Sequence, residues 1–232
     1  MLKENLAGYA SPMQREVLAG LCVEPRIERS FFLTGGTALS VFYLAHRVSE
    51  DLDLFSVETA DIPEIGFWIT RNWPGESASL RQSPGYASLE INGIRVDLAV
   101  DPLSEKTNRE RFVIETGRSI AVDTIENIAS NKLAALASRI EPKDFIDFYF
   151  IRRLRPNMEL RAVFEAAKKK EAVFDDPPTA AYQIEEGFER LPGLSGERTF
   201  AGPAFPRLLK RVDERDFCAF YRDLASWIYE RR

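Results

Sequence analysis

Hydrophobic periodicity changes once along this 232-residue chain, near Thr124, and that change restricts the fold to a sheet-containing first part followed by helices. Before it, apolar residues come in short runs bounded by glycine or alternate with polar ones. After it, they recur every three to four residues. Residues 12–28 read as an amphipathic helix, and Phe31-Phe32-Leu33 as a short buried strand that stops at Gly35-Gly36. Thr37 to His46 reads as a helix with Leu39, Phe42, Tyr43 and His46 on one face. Asp51-Leu52-Asp53-Leu54-Phe55 has the alternation of a half-buried strand, and residues 62–72 suggest another helix. Residues 86–92 and 94–100 read as strands joined through Asn92-Gly93, a favoured hairpin turn. From Thr124 the spacing predicts helices over 124–140, 143–155 after Pro142, 157–172, 179–190 and 213–231. The expected class is therefore α/β, in the α+β sense: a mixed-sheet domain over residues 1–123, then a helical domain over 124–232. Between the last two helices, residues 191–206 are rich in Gly and Pro and form a loop long enough to carry a functional or mobile role.

A hydrophobic content of 45% suits a folded core, and no apolar run approaches the roughly 20 residues that span a bilayer. The first residues lack the apolar centre of a signal peptide, so a soluble, cytoplasmic protein without a membrane partner is expected. Cys22 and Cys218 lie far apart, and His46 is the single histidine, which argues against a disulfide framework or structural zinc. Net charge is −5, divided as −7 over residues 1–130 and +2 over the remainder. A polynucleotide partner would have to meet local basic clusters: Arg152-Arg153-Arg155, Lys168-Lys169-Lys170 or Lys210-Arg211. The plainer reading of each is a solvated helix face.

The chemistry-bearing residues begin with the acids. Alternation puts Asp51 and Asp53 on one side of their strand, with Leu52 and Leu54 on the other. Carboxylates so close repel, and a hard cation such as Mg²⁺ or Mn²⁺ would let both stay ionised. In Ile94-Arg95-Val96-Asp97-Leu98-Ala99-Val100, Asp97 faces away from the apolar positions. Should that strand lie beside 51–55, Asp97 would complete a triad of metal ligands, and it could also act as general base. Three acids around two metals suit nucleotidyl transfer. Alone, Asp-Leu-Asp could equally be an edge strand with solvated acids.

Gly35-Gly36-Thr37, between a strand and a helix, strengthens the first alternative. Glycine lets backbone amides approach phosphate closely, a helix start offers unpaired N–H groups, and Thr37 could cap the helix or touch phosphate. Arg47 is a candidate for neutralising phosphate charge and Ser49 for a hydrogen bond there, while His46 has no nucleophile in relation to it and stays outside the chemistry. In the helix 124–140, Ile125, Ile128, Ala129, Leu136 and Ile140 form an apolar stripe. Lys132 lies within it and Arg139 seven residues further along the same face, so both cations are expected to point inward. Inward cations need carboxylates or phosphates. A structural salt bridge to Asp144 or Asp147 and a contact to a triphosphate are the two readings.

The run Leu33-Thr34-Gly35-Gly36-Thr37-Ala38-Leu39 through His46-Arg47-Val48-Ser49-Glu50-Asp51-Leu52-Asp53-Leu54-Phe55 closely resembles the first motif of the AbiEii/AbiGii toxin family of nucleotidyltransferases. Ile128, Lys132-Leu133-Ala134-Ala135-Leu136, Arg139 and Lys143-Asp144-Phe145-Ile146-Asp147-Phe148-Tyr149 resemble that family's downstream lysine and Asp-x-x-Asp motif. The likeness covers about residues 30–150. It implies a polymerase-β-like fold, Asp51 and Asp53 as metal ligands, Lys132 as a nucleotide contact, and Asp144 or Asp147 as a further active-site acid. Lys132 and the acid would come from the helical domain. It also implies a nucleoside triphosphate substrate, a role as toxin in a toxin–antitoxin or phage-defence system, and a separately encoded antitoxin. Some members of such families extend the 3′ end of tRNA, which makes tRNA or another RNA the expected acceptor. A protein or a small hydroxylated acceptor would be served by the same catalytic half. A non-catalytic nucleotide- or antitoxin-binding module is a further alternative, which the retained Asp51, Asp53 and Asp97 oppose.

Overall fold

The protein is described from a computed structural model covering residues 2–58, 61–104, 108–114, 117–191 and 205–231. Most of the expected loop 191–206 lies outside the described residues. The chain divides into two compact units, Met1–Thr124 and Ile125–Arg232.

The first unit opens with α1 (Pro12–Leu21), capped by the Ser11 side chain, and α2 (Pro25–Ser30). The single helix expected over 12–28 is broken because Pro25 has no N–H to continue α1 and instead starts α2. Seven strands follow in one mixed sheet: β1 (Phe32–Thr34), β2 (Leu52–Ser56), β3 (Ser77–Ser83), β4 (Tyr86–Ile91), β5 (Ile94–Val100), β6 (Arg111–Val113) and β7 (Ser119–Val122). Their order across the sheet is β3-β4-β5-β2-β1-β7-β6. The β4–β5 hairpin turns at Asn92 and Gly93, both at positive φ (50° and 76°), the backbone that a two-residue turn of this hand requires. Of the expected strands, the 51–55 and 94–100 segments pair in parallel, and Leu52, Leu54, Val96 and Leu98 are wholly buried.

After β1 the chain enters α3 (Gly35–Ala38), which continues as a π-helical stretch over Leu39–Leu44 and ends at Ala45 in the left-handed region. The helix thus starts two residues before Thr37. α4 (Ile62–Asn72), capped by Asp61, covers part of the sheet through Ile62, Ile65 and Ile69, all fully buried. β3 carries no apolar alternation and is exposed along almost its whole length, which is why its sequence, SASLRQS, gave no strand signal.

The second unit is helical: α5 (Ile125–Ser138), α6 (Pro142–Leu154), α7 (Leu160–Lys168), α8 (Pro177–Glu189) and α9 (Glu214–Tyr229). Its centre is aromatic. Phe145, Phe188, Phe217 and Tyr221 contact one another at centroid distances of 4.9 to 6.1 Å, and the Tyr221 hydroxyl donates to the Phe145 carbonyl. Ile140, expected in the inward stripe of α5, lies beyond the end of that helix and is 39% exposed. Among the described residues no helix is long and apolar enough to cross a membrane, and Cys22 and Cys218 are buried free thiols.

Candidate active site

Strand register brings polar side chains into one row across the sheet. Thr34 of β1 pairs with Asp53 of β2, Asp53 with Asp97 of β5, and Asp97 with Ser88 of β4. Laterally paired residues share a face, so these four line up on the side opposite Leu52, Leu54, Val96 and Leu98. The row continues past β7, where the Thr34 hydroxyl donates to Oδ2 of Asp123 at 2.7 Å.

The glycine bend packs directly on this row. Gly35 has φ +66°, and the space a Cβ would fill there is taken by the Asp53 carboxylate. At Gly36 the same space is taken by the Arg47 guanidinium and the Ser49 hydroxyl. A side chain at either position would have to displace these groups, and at Gly35 it would also strain the backbone. Gly35, Gly36, Asp53, Arg47 and Ser49 are thus brought together, with Arg47 and Ser49 buried.

Thr37 is fully buried, and its hydroxyl donates to the Asp51 carbonyl at 2.5 Å. The N-cap of α3 is Thr34, not Thr37, and no side chain caps that helix. Gln14 of α1 completes the link: its amide nitrogen donates to Thr37 Oγ1 at 3.3 Å and to the Asp51 carbonyl at 3.2 Å, while its oxygen accepts from the Ala10 N–H at 2.8 Å. Sequence reasoning missed Gln14, because nothing local marks a contact to residues 23 and 37 positions away.

Asp97 is engaged. Its Oδ1 accepts from the Ser88 hydroxyl at 2.5 Å, and Arg95 reaches both oxygens at 3.2 Å. Hydrogen bonds to Asp97 and Tyr86, then the charges of Asp97 and Asp51, hold the Arg95 guanidinium still more firmly protonated than an ordinary arginine. Arg95 therefore sits in the field of two of the three acids. Two-residue periodicity could have revealed it, since residues 95 and 97 share a face of β5. Among the described residues no group of three or more His, Cys, Asp or Glu side chains is arranged as a ready metal cage. Asp53 and Asp97 are register partners and Asp51 is two residues upstream of Asp53, but the three carboxylates do not converge on one point. As a donor set they suit a hard cation, being half-buried oxygen ligands on adjacent strands.

A buried ion pair stands at the other end of the row. Asp123 is fully buried and accepts from Arg109 Nε at 2.9 Å, from the Thr34 hydroxyl and from the Thr124 N–H. The Arg109 guanidinium lies 3.7 Å from the centroid of the Phe32 ring. Neither residue stood out in the sequence.

In the helical unit, Lys132 Nζ lies 2.6 Å from Asp144 and 2.7 Å from Asp147, both fully buried. Arg139 Nε reaches the second oxygen of Asp144 at 2.7 Å. Of the two readings of Lys132, the ion pair is the one seen, and it involves both acids. Burial alone would raise the Asp144 carboxyl, but the charges of Lys132 and Arg139 outweigh it and leave its pKa below the ordinary carboxylate value. Arg139 does not point inward as expected: it lies just past the end of α5, and its side chain is 51% exposed.

Residues 16–223 match the family described as nucleotidyl transferase AbiEii toxin, type IV TA system. An uncharacterised protein of Aquifex aeolicus (strain VF5) is 31% identical over 162 residues, spanning 68% of this chain and 71% of that protein. Among solved structures, JHP933 from Helicobacter pylori aligns at TM-score 0.51 and 18% identity over 94% of this chain and 91% of its own. MenT4, a nucleotidyltransferase toxin from Mycobacterium tuberculosis H37Rv, aligns at TM-score 0.50 and 13% identity over 92% and 84%. At these identities the structural matches speak to the fold.

Proposed function

Because the chain belongs to the AbiEii nucleotidyltransferase toxin family of type IV toxin–antitoxin systems, we propose that it transfers a nucleotide from a nucleoside triphosphate to an RNA acceptor, with the 3′ end of tRNA as the foremost candidate. One observation supports the catalytic half above all: Asp53 stands in register with Asp97 and packs against the Gly35 bend, so that two acids and the glycine bend share one place on the sheet. In this reading Asp51, Asp53 and Asp97 would hold Mg²⁺ or Mn²⁺, which when bound activates the attacking hydroxyl and offsets pyrophosphate charge.

The remaining roles belong to the chain's own groups. Gly35 and Gly36 let Asp53, Arg47 and Ser49 pack against the bend, so that a phosphate brought there would meet a fixed cation and a hydroxyl. Thr37 acts behind the site: its bond to the Asp51 carbonyl holds the entry to β2, and with it the spacing of Asp51 and Asp53. Arg95, bound to Asp97, sets how readily that carboxylate is given up to another cation. In the helical unit, Lys132 and Arg139 keep Asp144 ionised in the interior, and Asp147 is the second carboxylate paired with Lys132. A cognate antitoxin is the protein partner this family membership entails.

The test is incubation with each α-labelled nucleoside triphosphate, Mg²⁺ and total RNA or cell extract, for the parent and for Asp53→Asn. Label is expected in RNA with the parent and to fall at least a hundredfold in the variant, with thermal unfolding little changed. Equal labelling by the two would refute the assignment of Asp53, and label confined to protein or small-molecule fractions would replace RNA as acceptor.

A further inference from the structure

Basic clusters in the second unit differ in what their cations are already doing. Lys170 directs its ammonium to Asn127 Oδ1 at 2.6 Å, Ser130 Oγ at 2.8 Å and Asn131 Oδ1 at 2.5 Å, so its three donors are all taken. Lys168 pairs with Asp175. Arg152 donates to the Met158 carbonyl, and Arg153 binds Asp216 while lying near the Tyr149 and Phe220 rings. These cations serve the fold. The segment from Arg207 to Arg215 is different: Arg207, Lys210, Arg211 and Arg215 are exposed, and among the described residues none of them is engaged in an ion pair or a side-chain hydrogen bond.

Three of the four, Lys210, Arg211 and Arg215, line a surface cavity of about 810 Å³ together with Leu208, Leu209 and Val212. Of the two acids on that wall, Asp213 is turned to the start of α9, where it accepts from the Asp216 N–H, leaving Glu214 as the other. We infer that this cavity is a binding site for the sugar–phosphate backbone of RNA, the acceptor strand in the proposed reaction. Cations and exposed leucine occur side by side, and a nucleotide unit presents the matching pair, an anionic phosphate and an apolar base face. In the proposed reaction the polyanion that has to reach this chain is the RNA acceptor. Arginine supplies two of the three lining cations, and its planar fork fits phosphate oxygens in pairs. In a chain of net charge −5, a local cluster of this kind is what a polyanion needs in order to dock.

The inference deepens the RNA-acceptor reading and rests on it for the identity of the polyanion, but its test needs neither nucleotide nor metal. Binding of a labelled single-stranded oligoribonucleotide, of unfractionated tRNA and of poly-glutamate is measured against salt for the full chain, for the triple variant Lys210→Ser, Arg211→Ser, Arg215→Ser, and for Lys168→Ser. Each lost phosphate contact should lower the slope of log affinity against log salt by about 0.7 to 0.9, so the triple variant is expected to lose about 2 to 3 units and Lys168→Ser none. An unchanged slope in the triple variant overturns the site. Retained RNA binding with loss of poly-glutamate binding also overturns it, in favour of an acidic protein. Absence of label transfer by the parent chain would sink the catalytic reading and leave this measurement standing.

Discussion

Two glycines show how a substitution separates backbone cost from site cost. Gly93, at φ +76° in the β4–β5 turn, has open space where a Cβ would go, whereas Gly35, at φ +66°, has the Asp53 carboxylate there. Alanine in the left-handed region costs about 1–2 kcal/mol at either position. Gly93→Ala is therefore expected to lose that stability and keep transfer activity, while Gly35→Ala must also displace Asp53 and lose at least a hundredfold in activity. Comparable activity in the two variants would remove the reason for placing Asp53 at the centre. Gln14 offers a second residue-scale test. Gln14→Leu keeps the volume, leaves the Ala10 N–H unmatched and removes the brace on the Asp51 carbonyl, at a cost of about 1–3 kcal/mol. Transfer should then need severalfold more Mg²⁺ for half-maximal rate. An unchanged Mg²⁺ requirement would show Gln14 to be scaffold only. The acids and the glycine bend were legible because period-two alternation and Gly-Gly are local signals. The Gln14 brace and the Arg109–Asp123 pair were not, since each depends on which distant segments the fold makes adjacent.

Elements were legible in proportion to how much apolar surface they bury. α7 to α9 show their three- and four-residue spacing, and β2 and β5 their alternation, because each buries one face, while α5 and α6 are buried nearly all round and were legible by their apolar content. β3 was invisible for the converse reason, and the π-helical stretch after Ala38 changes a hydrogen-bond pattern without altering which residues are apolar. Just past the end of α7, Lys170 ties that helix to α5, its ammonium bridging Asn127, Ser130 and Asn131. Ser130 is fully buried and Asn127 nearly so, so removing the ammonium strands acceptors that water reaches poorly. Lys170→Met is expected to destabilise by about 1–3 kcal/mol in urea unfolding. Lys168→Met, at a half-exposed pair with Asp175, should stay within about 0.5 kcal/mol. Equal losses from the two would mean that chain length and packing, not the three hydrogen bonds, hold α7 in place.

At the scale of the whole molecule, the titrating groups shifted from their ordinary values set the pH limits of the fold. On the acid side, Asp144 is held below the ordinary carboxylate value by Lys132 and Arg139 against the opposing effect of burial, so the unfolded chain takes up this proton first as pH falls. Its stabilising contribution is complete above the unfolded carboxylate pKa near 4 and is lost as pH drops through the lower folded value. On the alkaline side the sign reverses. Burial pushes the Cys22 thiol from 9.0 up to about 12, with the charge of Glu28 adding to it, and burial with the bond to Asp216 pushes Tyr149 from 10.0 up to about 12. Between each pair of values the unfolded chain has lost a proton that the folded one keeps, so stability declines as pH rises, first from Cys22 near pH 9 and then from Tyr149 near pH 10. Thermal unfolding followed from pH 7 to 11 should therefore show the midpoint begin to fall near pH 9. In Cys22→Ala the fall should begin about one unit higher, where tyrosine takes over, whatever the midpoint at pH 7. A decline that starts at the same pH with and without the thiol would mean that Cys22 reaches solvent before the first unit unfolds, and the alkaline limit would then belong to the tyrosines alone.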